Sequence, residues 1–367
     1  MSDTSPSVVM NASPPSGGLS HEAGGVADAD SRDVSSSRLW LASGSSSRGM
    51  NAHPWYSPRT ASEAYQPPPA HLVDKGPTPP RFAGTPILRS EVTTVPDVLR
   101  FKAEGRRFAM LTAYDYPTAR FADEAEIPVL LVGDTMGMVV LGHPTTLPVT
   151  IDDIVHHAAA VARGSSRALL VGDLPFMSYQ PSVEMAMVSS GRLLQEAGMH
   201  AVKLEGAGPM VETVHRLTEA GVPVMAHLGL TPQSIHAIGG FRVRGRTVEA
   251  AERILSDARE LEEAGAFSLV LEAVPAHLAK TVTEALRIPT IGIGAGPHCD
   301  GQVLVVHDML GLTIGHVPRF VKRYANLGEI AVTAMRAFAR EVAEGEFPAP
   351  EHTYSSESSR EGARRGG

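Results

Sequence analysis

The sequence predicts a (β/α)8 barrel, and three observations carry that prediction. Eight short apolar runs alternate with amphipathic segments across about 260 residues, the size and rhythm of such a barrel. The runs are rich in Val, Leu and Ile, as strands buried on both faces should be. Four of them finish on an acid, and in a barrel the C-terminal ends of all strands open on one face. A doubly wound open sheet is the alternative, but no G-x-G-x-x-G follows the first strand.

Residues 1–88 come before this rhythm and have a different composition. Stretches such as "NASPPSGG", "SGSSSRG" and "YQPPPAHL" cannot bury enough apolar surface to offset the entropy of ordering them. A disordered, low-complexity extension is expected there. Trp40 and Trp55 both fall in it, as isolated aromatics or as a short partner-binding motif.

The barrel is expected over residues 89–350. Its first helix opens at "TTVPDVLRFKAEG", with Thr94 as N-cap and Pro96 in the first turn. The expected strands follow in order: "RFAMLTAY", "PVLLVGD", "ALLVGDLP", "AVKLEG", "PVMAHLG", "FSLVLEAV", "PTIGIGAG" and "QVLVVHD". The segments between them read as helices. "TVEAAERILSDARELEEAG" sets Ala251, Ile254, Leu255, Ala258 and Leu261 along one stripe. Gly198, Gly221 and Gly265 stand where helix ends need a left-handed residue. Residues 351–367, ending "SSESSREGARRGG", form a second loose tail.

Composition removes several function classes. A net charge of −8 with no basic block disfavours a nucleic-acid partner. Cys299 is the one cysteine, so the chain can build neither a disulfide framework nor a cysteine zinc site, which suits a cytoplasmic location. No apolar stretch approaches the ~20 residues of a membrane span, and no secretory signal opens the chain.

The strand-end acids are Asp134, Asp173, Glu205 and Glu272. One acid after a strand is ordinarily a helix cap. Four at one rim would repel one another unless a cation or a positive contact offsets them. Lys203 stands two residues before Glu205 and so points to the same side of its strand. Hard oxygen ligands without cysteine point to Mg2+, which takes a few carboxylates and leaves positions for substrate oxygens. A 2-oxo acid would chelate such an ion through its carboxylate and keto oxygens, which would stabilise an enolate formed by a nearby base. His143, His227 and His307 follow apolar stretches and read as hydrogen-bonded structural residues. The "GIGAG" turn, Gly292 to Gly296, could serve a ligand or tight packing.

Long motifs narrow this further. "LTAYDYPTARFADEAEIPVLLVGDTMGMVVLGHPTTLPVT", "GDLPFMSY", "AVKLEG", "AHLGLTPQS", "LVLEAVP" and "IPTIGIGAGPHCDGQVLVVHDMLG" resemble the ketopantoate hydroxymethyltransferase family over about residues 92–352. The resemblance implies a barrel of the phosphoenolpyruvate/pyruvate-binding superfamily. It implies transfer of a hydroxymethyl group from 5,10-methylenetetrahydrofolate to 3-methyl-2-oxobutanoate, giving 2-dehydropantoate for pantothenate biosynthesis. It also implies Asp134, Asp173 and Glu205 on Mg2+, with Asp134, Thr135, Asp173 and Lys203 on substrate and Glu272 as proton acceptor. Thr135 replaces the family's usual serine. Members are commonly decamers, so a homo-oligomer is expected. The rival readings are a metal-dependent 2-oxo acid lyase of the same superfamily, an aldolase in which Lys203 forms an imine, and a non-catalytic barrel with a partner-binding tail.

Overall fold

The structure, a computed structural model, describes residues 92–354. Trp40, Trp55 and nearly all of both expected tails lie outside the described residues. Only the start of the C-terminal one is seen, as a 3-10 turn at Pro350–His352.

All eight apolar runs form strands, and the strands close into one parallel barrel in chain order. β1 (Phe108–Thr112), β2 (Val129–Val132), β3 (Leu169–Asp173) and β4 (Ala201–Glu205) make one half. β5 (Val224–Gly229), β6 (Ser268–Glu272), β7 (Thr290–Ile293) and β8 (Gly301–Leu304) make the other. A helix, α1 (Val95–Ala103), precedes β1, and α2 (Tyr116–Glu124) follows it. Short α3 (Met136–Val139) and long α4 (Ile151–Gly164) lead from β2 to β3. Then α5 (Val183–Gln195) and α6 (Pro209–Glu219) follow β3 and β4. Next come α7 (Ile235–Ile238) and α8 (Val248–Glu263) after β5, and α9 (Ala276–Ala285) after β6. Two more helices, α10 (Val306–Met309) and α11 (Leu327–Glu344), follow β8.

The expected alternation breaks once, because β7 passes to β8 with no helix between them. The turn is tight: a side chain at Gly294 would strike Phe320, and one at Gly296 would strike Ala276. Both glycines also hold positive φ, so the "GIGAG" segment serves close packing.

Strand alternation sorts side chains into two cores. Inside the barrel, Met110, Val129, Leu131, Leu169, Val171 and Ile291 fill the axis. Outside it, Leu130, Leu170, Val202, Leu204 and Ala226 meet the helices. α1 closes the bottom of the barrel. Thr94 and Asp97 form its capping box, Pro96 stands in its first turn, and Val98 and Phe101 enter the inner core. Truncating Phe101 to Ala would cost about 3–5 kcal/mol by the usual cavity penalty. On α8 the expected stripe holds, with Ile254, Ala258 and Leu261 buried. Gly221 and Gly265 follow the ends of α6 and α8 at φ +85° and +102°, as a left-handed cap requires.

One helix departs from this pattern. α11 buries none of its eighteen residues, and Ile330, Met335, Phe338 and Val342 stand exposed along it. No helix of the described residues is long and apolar enough to cross a membrane.

Candidate active site

The strand-end acids converge on the C-terminal face of the barrel. β3 pairs with β4 so that Asp173 lies beside Lys203, and β4 with β5 so that Glu205 lies beside His227. Lys203 and Glu205 are two residues apart and face inward together, as alternation requires. The Lys203 ammonium stands 2.8 Å from Asp173 Oδ1 and 4.0 Å from Glu205 Oε1. Asp134, just past β2, donates its backbone N–H to Asp173 Oδ2 at 3.2 Å. Glu272, at the end of β6, reaches this group through a histidine. His227 Nδ1 stands 3.5 Å from Glu205 Oε1, and its Nε2 stands 3.4 Å from Glu272 Oε2.

His227, expected as a hydrogen-bonded structural histidine, is buried and faces a carboxylate from each of its ring nitrogens. It follows an apolar run because its strand is buried on both faces, yet its ring points into the barrel between two carboxylates. His307 behaves as a packed residue, with its ring 5.5 Å from that of Tyr114.

Glu272 owes its place to a glycine. Gly229 pairs with it across β5 and β6 at φ +98°, and a side chain on Gly229 would run into the Glu272 carbonyl. Ala273, next in the chain, holds φ +48°, a conformation non-glycine residues seldom adopt. Glu272 is also the most open of the acids. Its side chain is 17% exposed, against 2% for Asp173 and 3% for Glu205. Thr135 begins α3 without a side-chain cap bond, which leaves its hydroxyl free beside Asp134.

Burial governs the charges here. It raises the Asp134 carboxyl well above its usual range, and the nearby Asp173 and Glu205 raise it further. Burial also raises Asp173, although Lys203 opposes the shift. Glu205 ends below its usual range, because His227, Lys203 and the Gln233 backbone outweigh its burial. Burial and Lys203 would lower His227, yet Glu205 and Glu272 lift it to about 9. Lys203 rises despite its burial, held charged by Asp173, Glu205 and Asp134. Four carboxylates thus face two cations. A hard divalent cation would offset that excess. No three His, Cys, Asp or Glu side chains among the described residues are grouped to hold an ion by themselves. Asp134 and Asp173, joined by the Asp134 N–H, are the two acids closest to one another, and oxygens of this kind suit a hard cation.

Two further residues were not singled out from sequence. Gln233, in a 3-10 turn (Pro232–Ser234) after β5, is 4% exposed and donates its Nε2 to Asp134 Oδ2 at 3.0 Å. Its backbone N–H donates to Glu205 Oε2 at 3.1 Å. The Tyr179 hydroxyl donates to Gln233 Oε1 at 2.8 Å and accepts from the Glu205 N–H at 3.0 Å. The only sequence signal for Gln233 was its place in "AHLGLTPQS", since a polar residue in a loop has no periodicity to mark it.

The family model described as ketopantoate hydroxymethyltransferase matches residues 92–350. A 3-methyl-2-oxobutanoate hydroxymethyltransferase of Heliobacterium modesticaldum is 53% identical over 261 residues, 71% of this chain and 95% of that protein. Another, from Oleidesulfovibrio alaskensis, is 57% identical over 256 residues, 70% of this chain and 89% of that protein. Among solved structures, a phosphonopyruvate hydrolase complex with oxalate and Mg++ is 15% identical with a TM-score of 0.47, over 74% of this chain and 96% of that one.

Proposed function

The chain belongs to the ketopantoate hydroxymethyltransferase family, and on that premise we infer that its barrel rim transfers a hydroxymethyl group from 5,10-methylenetetrahydrofolate to 3-methyl-2-oxobutanoate. The product is 2-dehydropantoate, with one water consumed and tetrahydrofolate released. The observation that carries the reading is the rim itself: Asp134, Asp173, Lys203 and Glu205 in one buried cluster, joined to Glu272 through His227.

Lys203 binds the oxo acid as a charged donor. Its contact with Asp173 keeps it protonated, which argues against a free amine that could form an imine. The Thr135 hydroxyl adds a donor next to Asp134. Water adds to the methylene carbon of the folate and its two C–N bonds break, which releases tetrahydrofolate and formaldehyde. Glu272 accepts the proton from C3 of the oxo acid, the enolate carbon adds to that formaldehyde, and the new alkoxide takes the proton back from Glu272. His227 orients the Glu272 carboxylate from 3.4 Å and leaves its other oxygen for the proton. When bound, Mg2+ supplies polarisation of the keto oxygen. Asp134 and Asp173 would hold it. Glu205, whose oxygens already face His227, Lys203 and the Gln233 N–H, would act on it through water.

We assign catalysis to residues 89–350 and a cytoplasmic location to the chain. We also propose a homo-oligomer, a decamer by family resemblance. The apolar, uncovered α11 supports it, with a second copy as its partner. Glutamates at Met335 and Phe338 should shift the protein to a smaller species in light scattering, and an unchanged mass would exclude α11 as the contact.

The test of the reaction is an assay for 2-dehydropantoate, run with and without folate and with and without Mg2+. Turnover without folate would favour a lyase instead, and turnover in excess EDTA would remove the metal.

A further inference from the structure

We propose that Gln233 is a positioning residue, whose side-chain amide fixes the direction in which Asp134 presents its carboxylate to metal and substrate. The inference rests on the assignment of Asp134 to that site.

Every hydrogen-bonding capacity of the Gln233 side chain is used. Nε2 donates to Asp134 Oδ2 at 3.0 Å and to the Leu174 carbonyl at 2.9 Å. Oε1 accepts from the Tyr179 hydroxyl at 2.8 Å and from Gln180 Nε2 at 2.9 Å. A flipped amide would set its oxygen against the Asp134 carboxylate and the Leu174 carbonyl, and its NH2 against the Gln180 NH2, so only one orientation is satisfied. Tyr179 is itself held, because its hydroxyl accepts the Glu205 N–H at 3.0 Å. Both residues are buried, with Gln233 at 4% and Tyr179 at 1% exposure.

The consequence is geometric. Asp134 follows β2 on a short turn, where no ladder bond of the sheet fixes its side chain. Its Oδ2 is engaged by Gln233, which leaves Oδ1 as the oxygen free to bind. Meanwhile the Gln233 backbone N–H holds Glu205 Oε2. One residue from the loop after β5 therefore sets two carboxylates that belong to β2 and β4. Groups that orient metal ligands in this way commonly contribute 10–100-fold in affinity or activity.

The test uses the full-length protein, with Mn2+ as an EPR-visible probe. Gln233→Met keeps length and loses the donor. We expect native circular dichroism, Mn2+ affinity weaker by about 10–100-fold, and turnover that recovers as Mg2+ is raised. Wild-type Mn2+ affinity in Gln233→Met, alongside weakened affinity in Asp134→Asn, would overturn the positioning role and leave Asp134 in place. Wild-type affinity in both would remove Asp134 from the metal, and this inference with it. Lost turnover that Mg2+ does not restore would mark Gln233 as merely structural. Should Gln233→Met fail to fold, Tyr179→Phe decides, since it frees the amide without touching Asp134. Weaker Mn2+ binding in Tyr179→Phe supports the inference, and unchanged binding defeats it.

Discussion

The two ends of the barrel bury acids on different terms. At the bottom, Asp300 accepts from Lys102 at 2.9 Å and from the Thr290 N–H at 2.8 Å. Asp123, also at the bottom, accepts from the Ser165 and Ser166 hydroxyls and from the Ser166 and Arg167 N–H groups. Each acid there has donors enough for its charge. At the rim, Asp134, Asp173, Glu205 and Glu272 share Lys203 and His227. The bottom acids close the fold. The rim acids keep an unmet demand for positive charge, and burial makes that demand strong. Acids alike in sequence are thus matched by donors at one end and crowded together at the other.

The largest effect is expected at Glu272. Glu272→Gln keeps shape but cannot accept a proton, so turnover should fall by about 10²–10⁴ while substrate and Mg2+ still bind. NMR can follow exchange of the C3 proton of 3-methyl-2-oxobutanoate with D2O, without folate. Exchange at the wild-type rate in the variant would move the base elsewhere, with His227 the first candidate.

Next comes the charge deficit itself. Asp134 and Asp173 have raised carboxyl pKa values in the fold. Each therefore contributes stability that is full below the unfolded value of 3.8 and lost as pH rises through the folded value. His227, raised from 6.5 to about 9, acts in the same direction, its contribution vanishing as pH rises through about 9. Glu205, being lowered, contributes above 4.5 and loses that contribution as pH falls through its folded value. In EDTA, stability in urea should thus decline between pH 7 and pH 9. Mg2+ at 100 times its dissociation constant should add about 2.7 kcal/mol at pH 7. No gain from Mg2+ would mean the rim does not hold the ion.

A paired substitution tests the two ends directly. Asp300→Asn weakens a charged contact that only the fold needs. It should cost about 1–3 kcal/mol of unfolding free energy and leave the turnover of folded protein intact. Asp134→Asn should do the reverse, with metal binding weakened and stability in EDTA equal or higher, because one crowded negative charge is gone. If both variants lose stability alike, the contrast between the ends fails.

The smallest effect expected is at Ala273. Its positive φ costs about 1–2 kcal/mol for a residue with a Cβ, and a glycine there returns part of that as chain entropy. Ala273→Gly should gain roughly 0.5 kcal/mol in urea unfolding. If the strained backbone helps aim Glu272, turnover should drop at the same time. A gain in both would show that the strain serves no purpose in the site.

How much of this was legible in the sequence varied with the kind of signal. The eight strands were readable because buried parallel strands are continuous apolar runs, and α1 because Thr94 and Pro96 write its start plainly. The pairing of Lys203 with Glu205 followed from a period of two. The helix missing between β7 and β8 was not readable, since "GIGAGPHCDG" has the composition of either a turn or a ligand loop. Nor was Gln233, whose role depends on Tyr179 and Asp134 meeting it from loops 54 and 99 residues away. His227 showed in the sequence as a residue but not in its role.

The barrel, the acids at its rim and the family were written in the chain, because local patterns of period two and 3.6 and long motifs survive in one dimension. Tertiary structure decided which acids are neutralised and which are not. That depends on distances of 3–4 Å between different strands, set by the stagger of the closed sheet, and no local pattern records them.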